Sequence, residues 1–161
     1  MGGSLLPRWS RKLWRTNKLK YLADVNVLIA LTDENHVLHA KAMHWLYGPS
    51  HRDWGVCALT AAGLLRLLTN PRVGSLSVEQ ASAVLAALIV HPGYRFWPIV
   101  DDWATLAAPF MQRVFGHQQI TDAYLLGLAI KEGGVLVTMD KAIQYLAGPK
   151  YSKNVLLLES S

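Results

Sequence analysis

The sequence has little of two features that would each point to a particular class of protein: cysteines and long apolar runs. A single cysteine, Cys57, excludes a disulfide framework and a cysteine zinc site, and suits a reducing compartment such as the cytoplasm. No apolar run approaches the roughly 18 residues of a membrane-spanning helix, so we expect no membrane partner. At 52% hydrophobic residues, the 161-residue chain can bury a substantial core, and one folded domain is the simplest expectation.

Acidic residues are absent from the first 20 positions. This segment carries six basic residues, so its charge of +6 exceeds the +5 of the whole chain and leaves −1 for the remainder. We therefore predict a basic N-terminal arm over residues 1–19, in front of a nearly neutral domain over residues 20–161. Such an arm is typical of a segment that neutralises nucleic-acid phosphates or of a disordered tail, and we favour the tail.

Beyond the arm, short β-favouring segments alternate with segments of helical periodicity. Strands are predicted near residues 20–24, 54–59, 94–100, 134–139 and 154–159. Helices are predicted between them: one starting at Thr60 as N-cap, one with Ser77 and Gln80 as a capping box, and later ones over 102–116, 121–134 and 141–148. This alternation predicts an α/β fold whose central parallel sheet has helices on both faces.

Three aspartates stand at the edges of these segments. Asp24 and Asp140 follow predicted strands, and Asp122 lies at a predicted helix start. Each alone is well explained as a helix N-cap. Together they suggest a Mg²⁺ or Mn²⁺ site, because hard cations prefer oxygen ligands and because crowded carboxylates repel one another without a cation. Asn26 and Thr138 add neutral oxygens suited to orienting Asp24 and Asp140.

Four segments in this order resemble a known family. They are "LADVNVLIAL", "LTAAGLLRLLTNP", "HQQITDAYLLGLA" and "GVLVTMDKAI", and together they span about residues 20–158. The chain resembles PIN-domain ribonucleases of the VapC toxin type. The resemblance implies a PIN-like fold and a Mg²⁺- or Mn²⁺-dependent endoribonuclease from a type II toxin–antitoxin pair. It also implies an RNA substrate, a cognate antitoxin and a homodimer.

The same resemblance assigns the site residues and exposes one departure. The acids of the family motif fall on Asp24, Asp122 and Asp140, but the position of the family glutamate is occupied by Ala61. We expect this alanine to leave the fold intact and to impair catalysis. A naturally inactive PIN domain that binds RNA or protein is the alternative function.

His117 and Arg66 are weaker candidates for functional residues. His117 precedes the Asp122 helix and is a candidate contact for RNA phosphate, and Arg66 is a candidate contact for RNA or antitoxin; ordinary structural roles are the alternative for both. The segment 83–90 is too apolar for one exposed helix, which suggests core, dimer or antitoxin contacts. A receiver domain or a DxDx-type phosphatase would need a second acid where Asn26 stands, so both are disfavoured.

Overall fold

The computed structural model describes residues 18–48 and 52–159, so the predicted arm falls almost wholly outside the described residues. The strands are β1 (Lys20–Ala23), β2 (Asp53–Val56), β3 (Tyr94–Phe96), β4 (Val135–Thr138) and β5 (Val155–Leu157). The α-helices are α1 (Val25–Thr32), α2 (His39–Tyr47), α3 (Ala58–Thr69), α4 (Val78–Ile89), α5 (Trp103–Ala107), α6 (Ile120–Lys131) and α7 (Lys141–Tyr151). Short 3₁₀ helices cover Ala108–Arg113, His117–Gln119 and Ser152–Asn154.

All five strands pair in parallel in one sheet, in the order β3-β2-β1-β4-β5. The chain moves outward from β1 through β2 to β3 and then returns to the other side of β1 with β4. The strand order therefore reverses between β1 and β4. In open α/β sheets, ligands bind beyond the carboxyl ends of the strands at this reversal point.

Both faces of the sheet are covered by helices, as the sequence predicted. Along β1, Tyr21 and Ala23 enter a core shared with α1, α2, α3 and α4, whereas Leu22 enters a second core shared with α5, α6 and α7. The strands are apolar on both sides for this reason. None of the described helices is long and apolar enough to cross a membrane.

Two predicted helix boundaries were wrong. Helix α3 starts at Ala58 with Cys57 as its N-cap, whereas Thr60 lies in the first turn and its hydroxyl accepts a hydrogen bond from the Cys57 N–H at 3.1 Å. The apolar Ala58 and Leu59 resembled the end of a strand, because a short apolar run has no distinguishing period. The helix predicted over 102–116 changes to a 3₁₀ helix after Ala107, since Pro109 cannot donate an intrahelical hydrogen bond.

Candidate active site

The register of the sheet brings Asp24 beside the end of β4. Ala23 is opposite Val137, and the Asp24 N–H continues the ladder by donating to the Val137 carbonyl at 2.9 Å. Thr138 is thus the neighbour of Asp24 on the adjacent strand. Both residues lie at the carboxyl edge of the sheet, where the strand order reverses.

The Thr138 hydroxyl organises this edge. It donates to Oδ2 of Asp24 at 2.7 Å and accepts from the backbone N–H of Asp140 at 3.0 Å and from Nδ2 of Asn26 at 3.3 Å. Asn26 Oδ1 in turn accepts from the Met139 N–H at 3.2 Å. The hydrogen bonds of Asn26 and Thr138 therefore join the segment that follows β1 to the end of β4. They also fix the orientation of the Asp24 carboxylate.

Asp24 and Asp140 each also cap a helix. Oδ1 of Asp24 accepts from the Val25 N–H at 2.7 Å at the start of α1, and Oδ1 of Asp140 accepts from the Ala142 N–H at 2.8 Å at the start of α7. The capping role and a role in a metal site are compatible, because each carboxylate oxygen has two lone pairs. Asp24 is buried and Asp140 is exposed, so the edge opens toward solvent on the Asp140 side.

Asp122 joins this site from the other face of the sheet. It lies in the first turn of α6, which is held in place by a run of buried residues from Ala123 to Ala129. Burial raises the pKa of Asp122 to about 7, and the negative charges of Asp24 and Asp140 add to the effect. Burial likewise raises the pKa of Asp24, against the hydrogen bonds from Thr138 and Val25, with a smaller contribution from the charge of Asp140.

The charges of Asp24 and Asp140 both raise the pKa of Asp122, so the three carboxylates interact electrostatically. No basic side chain of the described residues is among the groups that shift the pKa of Asp24 or Asp122. Uncompensated carboxylates of this kind suit a divalent cation.

Within residues 18–48 and 52–159, no three His, Cys, Asp or Glu side chains form a ready cluster of direct metal ligands. Direct coordination of one cation by Asp24, Asp122 and Asp140 together is therefore not found among these residues. Mg²⁺ commonly takes one or two carboxylates and completes its shell with waters.

A pocket of about 340 Å³ opens beside the carboxylates. Asp122 and Asp140 line it together with His117, Phe115 and the 3₁₀ segment His117–Gln119. His117 thus lines the same pocket as Asp122 and Asp140, and its contact with RNA phosphate stays a prediction. Phe115 was not predicted from the sequence. The neighbouring glycine, Gly116, was the available signal for an exposed turn, and its φ is +142° in the structure.

Ala61 and Arg66 both lie on α3. Ala61 is half-buried and packs against the core under α1 to α4, and Gly63 lies against Val25 at the start of α1. The start of α3 is therefore beside the Asp24 edge. Arg66 is exposed, and its contact with RNA or antitoxin stays a prediction.

Comparison with known proteins identifies the family of this chain. Residues 21–149 match the PIN domain family. Ribonuclease VapC44 of Mycobacterium tuberculosis is 37% identical over 139 residues, covering 86% of this chain and 98% of the relative. Ribonuclease VapC39 of the same species is 40% identical over 126 residues, covering 76% and 89%.

A solved structure supports the fold independently. VapBC2 from Rickettsia felis, bound to a DNA fragment from the promoter, superposes with a TM-score of 0.60 at 13% identity, covering 88% of this chain and 98% of that one. At this identity the likeness concerns the fold alone. The length of the family match and the identity to the mycobacterial relatives show that the chain belongs to the PIN-domain family and to its VapC members.

Proposed function

We propose that this chain is the toxin of a type II toxin–antitoxin system, built as a metal-dependent endoribonuclease and weakened by Ala61. The observation that carries the proposal is that Asp24 and Asp140 lie at the carboxyl edge of the sheet and that their charges both contribute to the raised pKa of Asp122. Relatives named ribonuclease, at 37–40% identity, support the reaction class. Membership of the PIN family also removes the receiver and phosphatase alternatives.

The residues present suit a metal that acts on a phosphodiester. Asp24 and Asp140 are the proposed metal ligands, directly or through water. The hydrogen bonds of Thr138 and Asn26 fix the orientation of the Asp24 carboxylate. A bound Mg²⁺ or Mn²⁺ would supply positive charge at the phosphate and lower the pKa of a bound water. Asp122, in the first turn of α6, would complete the site and orient the attacking water.

Ala61 removes one carboxylate from this arrangement. Position 61 lies in the second turn of α3, which follows β2 at the same edge of the sheet as Asp24. A glutamate there would bring a fourth acid to the site. Alanine favours helix and is already accommodated against the core, so we expect a folded protein with weak metal binding and little cleavage.

The test compares the native chain with Ala61→Glu. RNA cleavage is measured in Mg²⁺ and in Mn²⁺, with growth arrest in cells as a second readout. We expect the glutamate to restore cleavage and Asp122→Asn in the restored protein to abolish it. Full cleavage by the native chain, or none by the Ala61→Glu protein, would show that position 61 is wrongly assigned.

The alternative, an inactive PIN domain that holds RNA or protein, shares the observation that Ala61 interrupts the motif. It predicts RNA or protein binding by both proteins and cleavage by neither. Metal binding measured by titration separates the two cases, since a restored nuclease gains metal affinity together with cleavage.

We further propose a protein antitoxin as partner and a homodimer as the assembly. Residues 20–161 form the PIN domain in this proposal, and residues 1–19 are an accessory arm. Helix α4 carries one charged residue, Glu79. Val78 at its start and Val90 at its C-cap are 65% and 79% exposed, which suits a protein contact. Co-purification with the product of an adjacent antitoxin gene tests this partner, and failure of the two to associate would contradict it.

A further inference from the structure

A pocket of about 460 Å³ opens at the edge of the sheet opposite Asp24. Its lining includes Lys20, the first residue of β1, Asp53, the first residue of β2, and Glu132, the C-cap of α6 just before β4. These positions lie at the amino ends of parallel strands, whereas Asp24 follows the carboxyl end of β1. Among the described residues, this amino-edge pocket shares no lining residue with the pocket of about 340 Å³ beside the carboxylates.

The register of the sheet brings the side chains of this pocket to one face. Lys20 is opposite Asp53 on β2, and Gly55 is opposite Arg95 on β3. Alternate residues of a strand share a face, so Lys20 and Arg95 lie on the face of the second core, to which Trp97 belongs. Gly55 lies between these strands without a side chain, which leaves the surface open there.

Trp97 gives the amino-edge pocket a rigid apolar wall. Two glycines leave room for its indole: a Cβ on Gly55 would lie 2.8 Å from Cδ1 of the indole, and a Cβ on Gly134 would lie 2.6 Å from Cη2. Trp97 is 6% exposed, so the ring is held by its packing and only a small part of it reaches the pocket. That part offers an apolar contact to a flat ligand.

Three cations line the pocket, and none of them is held tightly by a carboxylate. Lys18 pairs with Asp53 at 3.8 Å, but both side chains are at least 40% exposed, so this pair is weak. Lys20 and Arg95 form no ion pair within the described part of the chain. Their hydrogen bonds go to backbone carbonyls, at 3.5 Å for Lys20 and 2.6 Å for Arg95. These cations are therefore available to a phosphate.

The acidic residues of the pocket favour a ligand that carries more than a phosphate. Asp53 and Glu132 bring carboxylate oxygens, which accept hydrogen bonds from hydroxyl and amino groups. Three cations and two carboxylates leave a net charge of +1, which suits one phosphate better than a chain of several. The volume of about 460 Å³ is ordinary for a small-ligand site.

We propose that the amino-edge pocket binds a nucleoside 5′-monophosphate. The three basic side chains supply the positive charge for its phosphate, the two carboxylates accept hydrogen bonds from its ribose or base, and the base packs against Trp97. This site is separate from the proposed nuclease site, and binding there requires no metal.

The test is calorimetric titration of AMP, adenosine and ribose 5-phosphate into the full-length native chain in EDTA. Without a metal ion the carboxylate edge repels a phosphate, so binding there does not interfere. The variants are Lys20→Gln and Arg95→Gln, which each remove one charge from an exposed side chain. Arg72→Gln is the matched control, because Arg72 is exposed and lies after α3, outside the pocket.

We expect one AMP to bind per chain, and adenosine and ribose 5-phosphate each to bind at least about tenfold more weakly. Lys20→Gln and Arg95→Gln should each weaken AMP binding about tenfold, which is the loss of one charge-assisted hydrogen bond, and should leave adenosine binding unchanged. Arg72→Gln should change neither. A 5′-phosphorylated tetranucleotide carries the same group at its end. Tighter binding of it than of AMP would assign the pocket to an RNA end, and weaker binding to a free nucleotide.

Three results would overturn the proposed pocket. One is that the full-length native chain binds no AMP. Another is that ribose 5-phosphate binds as tightly as AMP, which would make the pocket an anion site without a nucleoside. The third is equal AMP affinity in the native chain and all three variants, which would place the binding elsewhere. RNA cleavage by the Ala61→Glu protein is measured separately, so the proposed function stands or falls on its own test.

Discussion

Replacing Asp122 by asparagine should stabilise the metal-free protein at alkaline pH. In the unfolded chain an aspartate ionises with a pKa of about 3.9, whereas burial and the neighbouring acids raise the pKa of Asp122 to about 7 in the folded chain. Between these values the folded protein binds more protons than the unfolded chain. The free energy of unfolding therefore falls as pH rises from about 4 to about 7, and the loss is complete above pH 7.

The size of the effect follows from the shift. A change of about three pKa units corresponds to about 4 kcal/mol if none of it is screened. Asp122 is only partly buried, so solvent reduces the figure, and we expect about 1–2 kcal/mol. Asparagine has nearly the same shape and no charge. For a domain of this size the gain corresponds to about 2–8 °C in Tm.

The assay is thermal and urea unfolding in EDTA at pH 8.5 and pH 5.5. Asp122→Asn should exceed the native chain by the full amount at pH 8.5 and by clearly less at pH 5.5. Added Mg²⁺ should stabilise the native chain more than the variant, because the ion compensates the same charge. Asp33→Asn is the matched control: Asp33 is exposed, and its hydrogen bond from the Asn35 N–H survives as a bond to the amide oxygen.

Two outcomes would refute this reasoning. If Asp122→Asn is less stable than the native chain at pH 8.5, the carboxylate makes a favourable contact that outweighs its repulsion. If the difference is the same at both pH values, the substitution acts through packing and the pKa of Asp122 is not raised.

Three further changes test other parts of the site and its support. Ala61→Glu should raise the affinity for Mn²⁺ by about 10–100-fold, measured by calorimetric titration. Thr138→Val should cost about 1–3 kcal/mol in urea unfolding, because it leaves buried Asp24 without its hydroxyl donor, and Thr138→Ser should restore most of that loss. Gly127→Ala should cost at least about 1–3 kcal/mol, because the new Cβ would lie 2.2 Å from the Leu106 backbone carbonyl oxygen and force α6 away from α5; an unchanged Tm would contradict this packing.

The fold was predictable because its signals are local. The order of strands and helices follows from alternating periodicity, and the capping box at Ser77 and Gln80 was found where the sequence placed it. The misplaced start of α3 shows the limit of such signals. Thr60 suits both the N-cap position and the first turn of a helix. The structure shows that it lies inside the helix, where its hydroxyl accepts a hydrogen bond from the Cys57 N–H.

The acidic site was predictable only as a set of residues. Asp24 and Asp140 could be located because each follows a predicted strand. Nothing in the sequence determines how deeply Asp122 is buried. The pKa shift of Asp122 therefore could not be anticipated. The same holds for Phe115 and Tyr145, because an aromatic residue in an apolar sequence is ordinarily expected in the core. Their exposure is a property of the packed structure.

Stability and reactivity are carried by different residues at this edge of the sheet. Thr138 and Asn26 join segments more than 110 positions apart in sequence, so the Asp24 carboxylate is fixed by the sheet itself. Position 61 takes no part in these bonds. A change there can remove or restore a carboxylate while the frame that holds the others stays the same. By our proposal, the chain thus keeps the shape of a nuclease site while Ala61 lowers its capacity to cut.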